Sequence, residues 1–115
     1  MTVTARVVDG ITILDVQGTV TVGEHAERLR DKVRSVVQEG ARRILVNMAG
    51  ISYVDSAGLG ELISAYTTTK REGGTLKLLN TTKRLKDLLV ITKLATVFET
   101  FENEAEAIAS FGAAV

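Results

Sequence analysis

Arg43-Ile44-Leu45-Val46-Asn47-Met48, followed after six residues by Asp55-Ser56-Ala57-Gly58-Leu59-Gly60, is the stretch that decides the fold. The first run is apolar almost throughout, the pattern of a parallel strand buried on both faces between helix layers. The second opens a helical pattern in which Leu59, Leu62, Ile63 and Tyr66 recur at three- and four-residue spacing. A hydroxyl residue, Ser56, therefore starts a helix at the carboxyl edge of a buried strand. Gly58 and Gly60 fall in its opening turn, where each costs about 1 kcal/mol against alanine. Close approach by another backbone, a ligand or a partner protein is a reason to accept that cost.

The flanking sequence extends the pattern in both directions. Val3, Ala5 and Val7 alternate with Thr4 and Arg6, Asp9-Gly10 is a tight-turn dipeptide, and Ile11 to Val16 continues as a second strand. Gly18 to Gly23 reads as a loop or an irregular strand extension. Ala26, Leu29, Val33, Val36 and Val37 line one face of a helix over 24–39, which Gly40 caps. Downstream, the helix from Ser56 runs to about Glu72 with Lys70 and Arg71 in its last turn, and Gly73-Gly74 ends it. Thr75 to Asn80 is a strand, Thr82 to Thr92 a helix facing inward through Leu85, Leu88 and Leu89, and Val97 to Phe101 a last strand. Asn103-Glu104-Ala105-Glu106 resembles a capping box before a helix anchored by Ile108 and Phe111. The order is β-β-α-β-α-β-α-β-α, an α/β fold with one mixed sheet, an N-terminal hairpin and about four helices. Functional sites in such sheets collect where strand ends meet helix starts.

Composition narrows the function. A chain of 115 residues, 45% hydrophobic and 24% charged, is read as one domain over 1–115 with a substantial core. Lys plus Arg and Asp plus Glu number 14 each, which leaves no electrostatic footprint for nucleic acid or an anionic membrane. With no cysteine, disulfides and thiolate metal sites are excluded. No apolar run has the length of a membrane-spanning helix, and the N-terminus lacks the features of a signal peptide, so a cytoplasmic protein without membrane insertion is expected. His25, the one histidine, reads as helix surface rather than a metal ligand. Ser56 does not sit in a Gly-x-Ser-x-Gly elbow, and no Walker or dinucleotide fingerprint is present. A receiver-type phosphate acceptor needs an acid pair after the first strand, and Val8-Asp9-Gly10 offers only a single acid, at a turn. Thr67-Thr68-Thr69 and the basic cluster Lys83-Arg84-Lys86 read as solvated helix surface. No catalytic residue, metal or cofactor is expected.

A helix start offers unpaired N–H groups and partial positive charge, which suit an anion. Ser56 can carry that anion covalently: a phosphoserine adds a charge of about −1.5 to −2 and three acceptor oxygens. Beside Asp55 it forms a dense anionic spot that repels a surface shaped for a neutral hydroxyl. By pattern alone, a plain Asp-Ser helix cap, a functional loop and a small-ligand or nucleotide site all remain open.

The run Val54-Asp55-Ser56-Ala57-Gly58-Leu59-Gly60 resembles the signature of the STAS domain in the anti-sigma factor antagonist family. Arg43 to Tyr53, Gly73 to Asn80, Ile91 to Leu94 and Val97-Phe98 resemble the segments around it, in order and over nearly the whole chain. The resemblance implies a bacterial switch rather than an enzyme. A partner anti-sigma factor, itself a serine kinase, phosphorylates the serine after the aspartate, here Ser56. The unphosphorylated antagonist binds that kinase and frees the sigma factor, the phosphorylated form lets go, and a PP2C-type phosphatase resets it. The implied partner-binding residues are Asp55, Ser56, Ala57, Gly58, Leu59 and Gly60, with Asn47 and Thr21 on neighbouring loops. Many family members carry aspartate where this chain has Asn47 and near the position of Thr21. The alternative is a non-enzymatic scaffold or accessory subunit of a signalling or membrane-transport assembly, a role STAS-like domains also fill.

Overall fold

Asp9 and Gly10 both adopt positive φ, 52° and 79°, the two-residue turn whose twist matches that of the strands it joins. It folds β1 (Thr2–Val8) onto β2 (Ile11–Val20) as an antiparallel hairpin. The remaining elements are α1 (Glu24–Gln38), β3 (Arg43–Val54), α2 (Ser56–Arg71), β4 (Thr75–Leu79), α3 (Lys83–Ile91), β5 (Thr100–Phe101) and α4 (Glu104–Ser110). This computed structural model describes residues 2–20, 24–54 and 56–112, with the backbone alone at 19, 20, 24–28, 52, 53, 56 and 57. The five strands lie in the order β1-β2-β3-β4-β5, parallel except for the first pair. This is the mixed sheet and element order the sequence predicts.

The interior strands explain the core. Ile44, Val46 and Met48 of β3 point to one face with Leu14 and Val16 of β2 and Leu76 and Leu78 of β4. Leu29, Val33, Val36 and Val37 of α1, Leu59, Leu62 and Ala65 of α2, and Leu85 and Leu89 of α3 cover that face. On the opposite face Ile11, Ile13, Leu45 and Leu79 meet Ala107 of α4, with Phe101, Ile108 and Phe111 packed around them. β2 is thus buried on both faces, Leu14 and Val16 under α1–α3 and Ile11 and Ile13 under α4.

Caps set the short helices. Thr82 Oγ1 accepts from Leu85 N at 3.1 Å before α3, and Asn103 Oδ1 accepts from Glu106 N at 3.0 Å before α4. At the far end of α1, Gly40 takes φ 107° as Ala41 N returns to Val36 O at 2.9 Å.

Four local expectations are corrected. Ile63 is 37% exposed, and the inward stripe of α2 passes instead through Leu59, Leu62, Ala65 and Thr69. Thr69 is fully buried rather than solvent-facing, because its hydroxyl donates to Ala65 O at 2.9 Å and so needs no water. β3 continues to Val54 instead of ending at Met48. The last strand is two residues rather than five: the chain turns over 95–97 and buries Phe98 edge-on against Tyr66, ring centroids 5.3 Å apart. Among the described residues no helix is long and apolar enough to cross a membrane.

Candidate functional site at the start of α2

β2 and β3 run past the rest of the sheet. β4 ends at Leu79, opposite Asn47, whereas β2 and β3 stay paired from Asp15 and Asn47 to Val20 and Val54. Their register shifts between Asp15 and Gln17 and again between Gly18 and Thr19, irregularities that bend a pair of strands and increase its twist. Gly50 lies in this arm. A Cβ there would stand 2.6 Å from Gln17 Cγ and 3.0 Å from Val16 O, so the close crossing of the strands requires glycine.

The arm delivers two chain segments to one place. Val20 and Val54 are strand partners, so the chain enters positions 21 and 55 from adjacent backbones. Thr21 and Asp55 themselves lie outside the described residues, as do the side chains of Ser56, Ala57 and His25. The backbone of α2 opens at Ser56, two residues beyond the end of the central strand. The first turn of α2 holds no acidic residue, so the partial positive charge of its N-terminus is not offset from within the turn.

The rest of the stretch divides by burial. Gly58 is buried, and Leu59 is 3% exposed within the core, where it anchors the first turn. Gly60 faces outward, and a Cβ built on it meets nothing within 4 Å. Among the described residues, nothing in the packing therefore asks for glycine at that helical position. One residue on, Glu61 Oε2 lies 3.9 Å from Arg30 Nε, an ion pair between α2 and α1 that is too long for a hydrogen bond.

Asn47 occupies a different setting. It sits seven residues upstream of Val54 on the sheet face that α4 covers, where its Nδ2 donates to Asp15 Oδ1 at 2.8 Å. Its Oδ1 accepts from Ala49 N and from Asn80 Nδ2, both at 3.1 Å. Asn80 has φ 56°, a conformation asparagine tolerates better than most residues. Arg6 completes the network by donating to both Asp15 oxygens, at 2.7 and 3.3 Å, and to Glu104 of α4 at 2.5 and 3.2 Å. The Arg6 guanidinium holds the Asp15 and Glu104 carboxyls below their ordinary range, and the two carboxylates raise Arg6 in return. Among the sequence-predicted site residues, the described contacts thus place Asn47 with Arg6, Asp15, Asn80 and Glu104 rather than with α2.

Those four partners were not singled out from the sequence. The available signal was Arg6 and Asp15, two charges on strands of a hairpin whose turn fixes their diagonal relation. Among the described residues no cluster of His, Cys, Asp or Glu has the makings of a metal site.

The STAS domain model matches residues 2–107. The chain is 35% identical over 71 residues to the anti-sigma-B factor antagonist of Bacillus subtilis, a match covering 62% of this chain and 64%, under two thirds, of that protein. It is 25% identical over 115 residues to BtrV of Bordetella bronchiseptica, provisionally named an anti-sigma factor antagonist, covering 100% of this chain and 98% of that one. The fold also matches Bacillus SpoIIAA at 20% identity. The unphosphorylated form superposes with a TM-score of 0.68, covering 96% of this chain and 97% of the other, and the phosphorylated form with 0.74, covering 96% and 99%. With the family model spanning nearly every described element, this chain belongs to the STAS domain family.

Proposed function

We propose that this chain is an anti-sigma factor antagonist that works by partner switching. In its unphosphorylated state it binds an anti-sigma factor that is also a serine kinase, and phosphorylation of Ser56 releases it. A PP2C-type phosphatase restores the binding state. The chain itself catalyses nothing; the ATP chemistry belongs to the kinase.

The observation that carries this reading is the position of Ser56 at the opening of α2, directly past the end of the central parallel strand. A phosphate there meets the positive end of a sixteen-residue helix and leaves the core beneath Leu59 intact. Its charge adds to that of Asp55, the preceding residue in the sequence. The names of the Bacillus and Bordetella relatives support the antagonist role, and SpoIIAA shares this fold in both phosphorylation states.

Partner contacts are assigned to Asp55, Ser56, Ala57 and Gly60, with the buried Gly58 and Leu59 shaping the turn from beneath, Thr21 following the adjacent strand in sequence and Asn47 bracing the sheet upstream. Incubation with the cognate kinase and ATP, followed by peptide mass spectrometry, is expected to find phosphate on Ser56 alone. Modification at another residue, or partners captured from lysate equally with and without phosphatase treatment, would favour a scaffold instead.

A further inference from the structure

β1 is the outer strand of the sheet, and it lacks most of the devices that keep edge strands apart. It has no proline and no lysine, and its register with β2 runs unbroken from Thr2↔Gln17 to Val8↔Ile11. Its one charge, Arg6, is taken up by Asp15 and Glu104 on the α4 face. On the other face Val7 is 69% exposed beside Ala5, above a cavity of about 240 Å³ lined by Ala5, Val7, Thr12, Val36, Glu39 and Ala41.

The hairpin fixes which backbone groups are free. In a two-residue turn the flanking residues, here Val8 and Ile11, form a hydrogen-bonded pair, and such pairs alternate along the ladder. Val8, Arg6, Thr4 and Thr2 therefore direct their N–H and C=O toward β2. Val7, Ala5 and Val3 direct theirs outward.

We infer that β1 pairs antiparallel with β1 of a second copy of this chain, about a two-fold axis at Ala5. That register sets Val3 against Val7 of the other copy, Ala5 against Ala5, and Val7 against Val3, and it forms six backbone hydrogen bonds from the groups that point outward. All three pairs lie on the helix-covered face, so each exposed Val7 gains an apolar cross-strand neighbour. On the α4 face each Arg6 faces Thr4 of the other copy, whose own strand partner is Asp15. The row across the junction reads Arg6, Thr4, Asp15: cation facing anion across a small residue, with no like charges opposed. The interface is isologous and closed, as a two-fold dimer requires, and it joins two five-stranded sheets into one. A three-residue strand pairing is smaller than a standard interface, so the expected dimer is weak and concentration-dependent. Both α2 N-termini remain outside it.

Sedimentation or light scattering of the full chain between ~1 µM and ~1 mM tests this. The expected mass rises with concentration toward twice the 12.4 kDa of one chain. Val7→Lys brings charge to an exposed position, and Ala5→Pro removes an outward N–H without touching the β1–β2 ladder. Each is expected to leave the protein folded by circular dichroism and to raise the dissociation constant about tenfold or more. A monomer throughout the range, or a dimer that both folded variants leave unchanged, overturns the proposal.

Discussion

Asn47 Nδ2 donates to Asp15 Oδ1 at 2.8 Å across two parallel strands, at the level where β4 ends and the β2–β3 arm begins. An amide is suited to this place. It gives a proton to Asp15 on one side and accepts from Ala49 N and Asn80 on the other, so all three neighbours are satisfied at once. An aspartate there could accept from Ala49 and Asn80 but would set a second carboxylate against Asp15.

Asn47→Asp therefore tests the network through pH. Two carboxylates in contact push one of their pKa values up. A carboxyl whose folded pKa is raised favours folding while protonated and loses that advantage as pH rises from its unfolded value through its folded one. The variant is expected to be about 1–2 kcal/mol less stable than the parent at pH 7, with the gap closing toward pH 4, in urea titrations. A gap independent of pH would contradict the reading.

Arg6 carries the opposite sign. It holds Asp15 and Glu104 below the ordinary carboxylate range, so their contribution is present above about pH 4 and is lost as pH falls through their folded values. Both side chains are partly exposed, 29% and 39%, which limits the effect. Arg6→Met is expected to lose less stability than the parent between pH 6 and pH 3 in the same titrations. Parallel acid profiles would show that the pairing does not set the acid response.

Much of this was legible in the sequence, and the failures have physical causes. Asp9-Gly10, the Asn103 cap and Gly40 are local signals, and each appears where local chemistry puts it. The inward face of α2 was misjudged because Ala65 and Thr69 carry little hydrophobic signal. Ile63 carries a strong one and is 37% exposed. Thr69 hides its hydroxyl in a bond to its own helix, which no pattern of polar residues reveals. The Arg6–Asp15–Asn47–Asn80 network joins four separate segments and becomes visible only once strand register is known. At the site, the strand-to-helix placement of Ser56 was readable from periodicity, whereas the open space over Gly60 required coordinates.

Gly60 gives a prediction with two readouts. Alanine there meets no atom of the described residues within 4 Å and replaces a poor helix former with the best. Gly60→Ala is expected to stabilise the isolated chain by about 0.5–1 kcal/mol in thermal or urea unfolding. The same methyl stands where a partner is proposed to approach, so binding to the kinase should weaken. A variant that gains stability and binds undiminished would remove Gly60 from the interface.

The most direct test of the central claim is calorimetric titration of the cognate kinase with three forms of this chain: unmodified, Ser56→Ala, and stoichiometrically phosphorylated on Ser56. The unmodified and alanine forms are expected to bind alike, and the phosphorylated form about 100-fold more weakly, as unpaired charge at a desolvated contact demands. Equal affinity of all three would contradict the assignment of Ser56 as the mark its partner reads.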